Sequence, residues 1–147
     1  MSYLLDTCVL SKLRRINKQP DIKLKNWITK HSEDSYFVSA LTIGEIQSGI
    51  SKLNLKKNDE KQKRLVLEDW LLEELIPRFK DRILPVDIEV VLKWGRLLGE
   101  GKQRGFVIPI VDGLIAATAI VHNFAVVTEN INDFIETGAR VFNPWLE

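Results

Sequence analysis

Two kinds of apolar pattern alternate along the chain. Runs too short for a helix occur at Tyr3–Leu5, in "SYFVSA" (35–40), in "RILPVD" (82–87), in "AVVT" (125–128) and in "RVF" (140–142), and they read as strands. Between them apolar residues recur at helical spacing. Ile43, Ile46, Ile50 and Leu53 mark one helix; Leu65, Leu72, Ile76 and Phe79 form one stripe of a longer helix from Asp59 to about Lys80. Leu67, Leu71 and Leu75 make an adjacent stripe, so this helix has a wide apolar face. Shorter helices are expected over "SKLRR" (11–15), from Asp21 to about Lys30 behind Pro20, from Asp87 to about Gly99, from Asp112 to about His122, and near 132–137. "GEGKQRG" (99–105) reads as a loop or a frayed helix end.

Strands alternating with helices predict an α/β fold, a mostly parallel sheet covered on both faces. In such sheets ligands bind beyond the carboxyl ends of the strands. Asp6 stands at such an end, directly after the first run. Glu45 falls in the first turn expected after the second strand, and Asp112 opens the helix behind Pro109. "TENINDF" (128–134) follows the fourth run and supplies Glu129, Asn130 and Asp133.

Composition narrows the setting. The 147 residues predict one domain, 1–147, and a 45% hydrophobic and 28% charged chain is that of an ordinary globular protein. A net charge of +1 argues against a general polyanion coat, though a local basic patch can hide within it. The single cysteine, Cys8, excludes an intramolecular disulfide, and no secretory signal is evident, which together lead to the expectation of a cytoplasmic protein. "LIAATAIVHNFAVV" (114–127) carries His122 and Asn123 and is too short to span a bilayer; it reads as a buried helix running into a buried strand.

Each acidic position has a local explanation. Thr42-x-x-Glu45 is a capping box, Asp112 a helix N-cap, Asp133 a turn or cap residue, and Asp6 an Asx-turn former. Their joint placement points elsewhere, because clustered carboxylates repel unless a cation neutralises them. Oxygen-only ligation suits Mg²⁺ or Mn²⁺ rather than Zn²⁺. One Cys and two His, His31 and His122, offer no zinc spacing. His31 reads as a solvent-facing helix end, His122 as partly buried, and Cys8 as a small buried residue.

Taken together, "LLDTCVLS", "SALTIGEIQSGI", "DGLIAATAIVHNFAVVTENINDF" and "ARVFNPW" resemble, in the same order and over essentially the whole chain, the PIN-domain nucleases, and among them the VapC/FitB-like toxins of toxin–antitoxin pairs. The resemblance implies a PIN-like three-layer α/β/α fold with four to five strands in the central sheet. It matches Asp6, Glu45 and Asp112 to the family's metal-binding acids and Thr128, Asn130 and Asp133 to its fourth site. Many members carry Asp at the position of Asn130, so Asp133 is the alternative source of that charge. Thr7, Ser39 and Thr128 match polar positions that hold waters or contact the ligands. The implied chemistry is Mg²⁺-dependent hydrolysis of RNA phosphodiester bonds (Mn²⁺ substituting), leaving 5′-phosphate and 3′-hydroxyl ends, with Asp6, Glu45, Asp112 and Asp133 as catalytic acids. The implied partners are an RNA substrate, a small antitoxin docking near the 59–80 helix, a second copy in a homodimer, and DNA only through the antitoxin, with no membrane. Lys12, Arg14, Arg15, Lys18, Lys102 and Arg104 are candidates for phosphate contacts, or equally for solvated faces. Two rivals stand beside this reading. A haloacid-dehalogenase-like phosphotransferase requires a second Asp where Cys8 stands, and a non-catalytic PIN fold binding RNA or protein draws support from Asn130.

Overall fold

The computed structural model describes residues 1–146. Five short strands, β1 (Tyr3–Leu5), β2 (Tyr36–Ser39), β3 (Ile83–Leu84), β4 (Ala125–Val127) and β5 (Val141–Phe142), form one parallel sheet in the order β3-β2-β1-β4-β5. β1 is central, with Tyr3 opposite Tyr36 on one side and Ala125 on the other. Successive residues point to opposite faces. Leu5, Val38 and Val127 therefore join one core with Val9, Leu24, Trp27, Ile50, Leu71 and Phe79, while Leu4 and Val126 join a second with Val90, Leu97, Ile115 and Phe134. Helices α1 (Thr7–Arg14), α2 (Ile22–Lys30), α3 (Ala40–Ser51) and the segment after α4 (Asn58–Asp69) cover the first face. After the short α5 (Ile76–Arg78), α6 (Ile88–Gln103) and α7 (Ile110–His122) cover the second. This is the expected three-layer arrangement. None of the helices over the described residues is long and apolar enough to cross a membrane.

Several element ends differ from the sequence reading, each for a local reason. α1 starts at Thr7, because Asp6 caps it. α6 runs past Gly99 to Gln103, and Gly101 packs closely there: a Cβ on it would lie 3.0 Å from Ile108 Cδ1 and 3.3 Å from Phe106 O. The long 59–80 helix is interrupted by a wide π turn at Trp70–Leu75. Pro77 has no N–H to return to Glu73, and the Ile76 N–H reaches Leu71 O instead. Of its apolar stripes, Leu71, Leu75 and Phe79 are buried while Leu65 and Leu72 remain exposed, as does Val66 beside them. His31 is not solvent-facing: its ring packs among Tyr3, Trp27 and Tyr36, with Nδ1 3.0 Å from Trp27 O.

The chain runs outward from β1 through β2 to β3 and returns to β4 on the other side of β1. The reversal places a crevice beyond the carboxyl ends of β1 and β4, where parallel sheets bind ligands.

Candidate metal centre

Asp6 leaves β1 in extended conformation and turns at once into α1, its Oδ1 accepting the Thr7 N–H at 2.8 Å. Its own N–H donates to Val127 O of β4 at 3.0 Å, so it is held by the ladder as well as by the helix. Across the reversal, Thr128 Oγ1 donates to Asp6 Oδ2 at 2.9 Å and accepts the Asn130 N–H at 3.1 Å. Thr128 is fully buried. Its hydroxyl ties together the segments that follow the two adjacent strands. Nothing in the spacing of 6 and 128 announces this contact; both being the first polar residue after a neighbouring strand is the signal that could have found it.

Glu45 enters from α3. The Thr7 hydroxyl donates to its Oε1 at 3.2 Å, which links the third element to the first. The capping box is not formed. Ser39 is the N-cap, its Oγ accepting the Leu41 N–H at 3.1 Å, and Thr42 lies inside the helix, fully buried, its Oγ1 without a partner. Glu45 therefore sits in the second turn of α3 and caps nothing. Asp112 likewise is not a cap: Pro109 holds that place and Asp112 is the third residue of α7, where the positive end of the helix favours a carboxylate. Asp133 ends a short 3-10 turn, Ile131–Asp133, exposed and with only its backbone N–H engaged, on Asn130 O at 3.1 Å. The Asn130 side chain is exposed too, so the local geometry favours neither residue for the fourth position.

Electrostatics connect what sequence separates. Burial, together with the charges of Asp6 and Asp112, pushes the Glu45 carboxyl above its ordinary range despite the hydrogen bond from Thr7. Burial, then Asp133 and then Asp6, push Asp112 up in the same direction. Asp6, Glu45, Asp112 and Asp133 thus share one field, and among the described residues none of them has a basic side chain within ion-pair distance. The side chains stand apart, each anchored by its own element; among the described residues no three are spaced to hold an ion as they stand. The donor set is all oxygen, anionic and without counter-charge, and in that respect fits a hard divalent cation.

The basic candidates divide. Lys12 Nζ is paired with Glu129 at 2.8 Å and lies 4.4 Å from the Trp145 ring centre. Arg14 lies over Trp70, and Arg104 donates to Glu136 O. Arg15, Lys18 and Lys102 are exposed. Cys8 is half-buried rather than buried, with Sγ 3.5 Å from Thr128 Oγ1, and burial pushes its thiol up, away from thiolate chemistry. His122 is partly buried as expected, packed on Phe124. Beside the acids, a cleft of about 360 Å³ opens between α1, α3 and α4, with Ile46, Ile50 and Leu67 in its wall and Arg14, Arg15 and Lys63 around it.

The PIN domain family matches residues 3–139. The chain is 34% identical over 143 residues to toxin FitB of Neisseria gonorrhoeae, covering 97% of each. It is 32% identical over 141 residues to VapC ribonuclease Y4jK of Sinorhizobium fredii, covering 96% of each. Among solved structures it resembles a chain of FitAB bound to an IR36 DNA fragment, at 33% identity and a TM-score of 0.83 over 97% of this chain and 95% of that one. It also resembles a chain of VapBC2 from Rickettsia felis bound to a fragment of its promoter DNA, at 26% identity and a TM-score of 0.69 over 97% and 98%.

Proposed function

The chain belongs to the PIN-domain family, and from that premise we propose that it is the ribonuclease toxin of a toxin–antitoxin pair, hydrolysing RNA phosphodiester bonds with the help of Mg²⁺. The observation that carries the reading is the shared field of Asp6, Glu45, Asp112 and Asp133 at the β1/β4 crevice, none of them ion-paired with a basic side chain among the described residues. Relatives that cover nearly the whole chain bear the names ribonuclease and toxin, which supports the same chemistry.

Asp6, Glu45 and Asp112 would hold the cation, with Asn130 or Asp133 completing the set. A divalent ion there supplies charge neutralisation at the scissile phosphate and eases deprotonation of the attacking water. The chain's own residues do the positioning. Thr7 fixes the Glu45 carboxylate, and Thr128 fixes that of Asp6 while holding the Asn130 backbone. No side chain serves as nucleophile, in keeping with a Cys8 thiol held protonated.

The cleft between α1, α3 and α4 abuts Thr7 and Glu45 and suits an amphipathic antitoxin segment, as do the exposed Leu65 and Leu72 nearby. The solved FitAB and VapBC2 assemblies sit on DNA, which supports a DNA contact made through the antitoxin. The apolar Ile88, Leu92, Val107 and Ile110 are exposed on the opposite face and suit a second copy.

Expression of the chain alone is the test. It should arrest growth with new RNA ends, and co-expression of the antitoxin should relieve the arrest. Asp6→Asn should abolish both effects while the protein stays folded. Undiminished toxicity and unchanged RNA ends in Asp6→Asn would overturn the assignment.

A further inference from the structure

Of the basic residues near the crevice, one is built into place. Cys8 and Lys12 are four residues apart and share a face of α1. That face runs along the segment after β4: Cys8 Sγ meets Thr128, and Lys12 Nζ meets Glu129 Oε2 at 2.8 Å. Lys12 also lies over the Trp145 ring, 4.4 Å from its centre. Trp145 is itself fastened. Its Nε1 donates to Asp21 Oδ2 at 2.7 Å, its backbone N–H goes to Asn143 Oδ1 at 2.9 Å, and its carbonyl accepts from Lys23 Nζ at 2.9 Å. Asp21 is the N-cap of α2, accepting the Leu24 N–H at 3.0 Å, so the C-terminal turn Pro144–Leu146 is buttoned to a helix start. Pro144 is buried beneath it.

We propose that Lys12, seated on Trp145, binds a phosphate of the RNA next to the acidic crevice, and that the C-terminal turn is a strap that positions it. The proposal rests on the ribonuclease reading above. An acidic crevice repels a polyanion, so a cation at its lip must offset that repulsion without entering the site. Lys12 meets that need: it pairs with Glu129, the residue after Thr128, which is the partner of Asp6, and its side chain is one-third exposed. Half-exposed ion pairs contribute little, so Glu129 can yield Lys12 to an arriving phosphate. The Trp145 ring keeps the stem in place during the exchange through its attraction for the ammonium.

The test separates this role from a purely structural tie. RNA binding is measured against salt concentration in the cleavage-deficient Asp6→Asn protein. Lys12→Gln should weaken binding across RNA sequences and lower the slope of log affinity against log salt by about 0.7, the value for one single-strand phosphate contact. Lys12→Arg should restore the slope, and Trp145→Leu should reproduce most of the Lys12→Gln loss, whereas Lys52→Gln, elsewhere on the surface, should not. In the active protein, Lys12→Gln should raise KM more than it lowers kcat. An unchanged slope in Lys12→Gln, or an equal loss in Lys52→Gln, would overturn the proposal. Because binding is read without turnover, its outcome is distinguishable from failure of the ribonuclease reading, which an inactive but RNA-binding wild-type chain would reveal.

Discussion

Replacing Glu45 by Gln separates chemistry from architecture at the position where the two readings of the sequence compete most directly. α3 is capped by Ser39, so the change removes no cap. One hydrogen bond is at stake, the 3.2 Å contact from Thr7 Oγ1. A Gln carbonyl oxygen accepts it as well, and exchanging a charged acceptor for a neutral one costs about 1 kcal/mol. Against this, the variant loses a charge that burial and the Asp6 and Asp112 carboxylates disfavour. The two effects oppose each other and leave stability within about 1 kcal/mol of the parent, or about 2–4 °C in Tm for a chain of this size.

Metal binding behaves differently. Residues that only orient a metal's ligands change its affinity by about 10–100-fold when replaced, so loss of an anionic ligand should raise the Mg²⁺ needed for half-maximal cleavage by at least about tenfold. Thermal melting in metal-free buffer and cleavage during a Mg²⁺ titration measure the two sides. Asp87→Ala is the control: it removes the cap of α6, which accepts the Val90 N–H at 3.1 Å, costs about 1 kcal/mol, and should leave the Mg²⁺ requirement alone. The reasoning fails if Glu45→Gln melts more than about 5 °C lower yet cleaves RNA with an unchanged Mg²⁺ requirement.

At the fourth position, Asn130→Asp should lower the Mg²⁺ needed for cleavage and Asp133→Asn should raise it, both with unchanged Tm because neither side chain caps a helix; metal titrations that do not move in either variant would remove both residues from the site. Arg82 donates to the carbonyls of Glu33 and Tyr36 at 2.7 Å, so Arg82→Ala removes two charge-assisted hydrogen bonds and should cost about 1.5–3 kcal/mol in denaturant melts. Burial alone would raise Glu33, but Arg78 and Arg82 outweigh it and hold the carboxyl below its ordinary range. Its contribution is therefore complete above the unfolded-chain value and is lost as pH falls through the depressed folded one; Glu33→Gln should flatten that part of the acid limb by under about 1 kcal/mol, since the carboxylate is nearly half exposed. A Cβ on Gly113 would meet Trp94 Cδ1 at 3.1 Å and Ile108 Cγ2 at 3.2 Å, and Trp94 is pinned by its Nε1 bond to Ile110 O. Gly113→Ala should accordingly cost about 1–3 kcal/mol and weaken cleavage by displacing Asp112, while Gly95→Ala, with open space around it, should stabilise by about 0.5–1 kcal/mol.

The sheet was legible because its strands are short apolar runs closed by a polar residue or, after β3, by Pro85, and α2 and α6 because Asp21 and Asp87 cap them as their sequences suggest. The join of α7 to β4 was legible for the same kind of reason: Asn123 takes the left-handed conformation at φ 58° and ends the helix in place. Where the reading failed, tertiary contacts outvoted local ones. Ser39 and Thr42 are both capping types and both buried; Ser39 takes the cap because it closes β2 and its Oγ accepts the Leu41 N–H, which leaves Thr42 inside the helix. Gly101, a residue type that ordinarily ends a helix, instead lets α6 pass close to the loop at Phe106 and Ile108. The Lys12–Trp145–Asp21 chain joins residues more than a hundred positions apart and leaves no periodic trace.

Asp6 and Asp112 looked like ordinary helix-start residues for a physical reason that also allows them to be functional. A carboxylate in the first turn is stabilised by the helix's unpaired N–H groups and its dipole, by about 0.3–1 kcal/mol each. Asp6 collects that gain at α1 and Asp112 at α7. Like charges gathered at one crevice cost energy, and these local gains offset part of the cost before any cation arrives. A parallel sheet then turns the offset into geometry, because it delivers strand ends and helix starts to the same edge. Glu45, lying in the second turn of α3, has no helix start to lean on and depends on the Thr7 hydroxyl instead, while burial and the neighbouring carboxylates raise it as they raise Asp112. A divalent cation at the crevice would therefore relieve Glu45 and Asp112 alike.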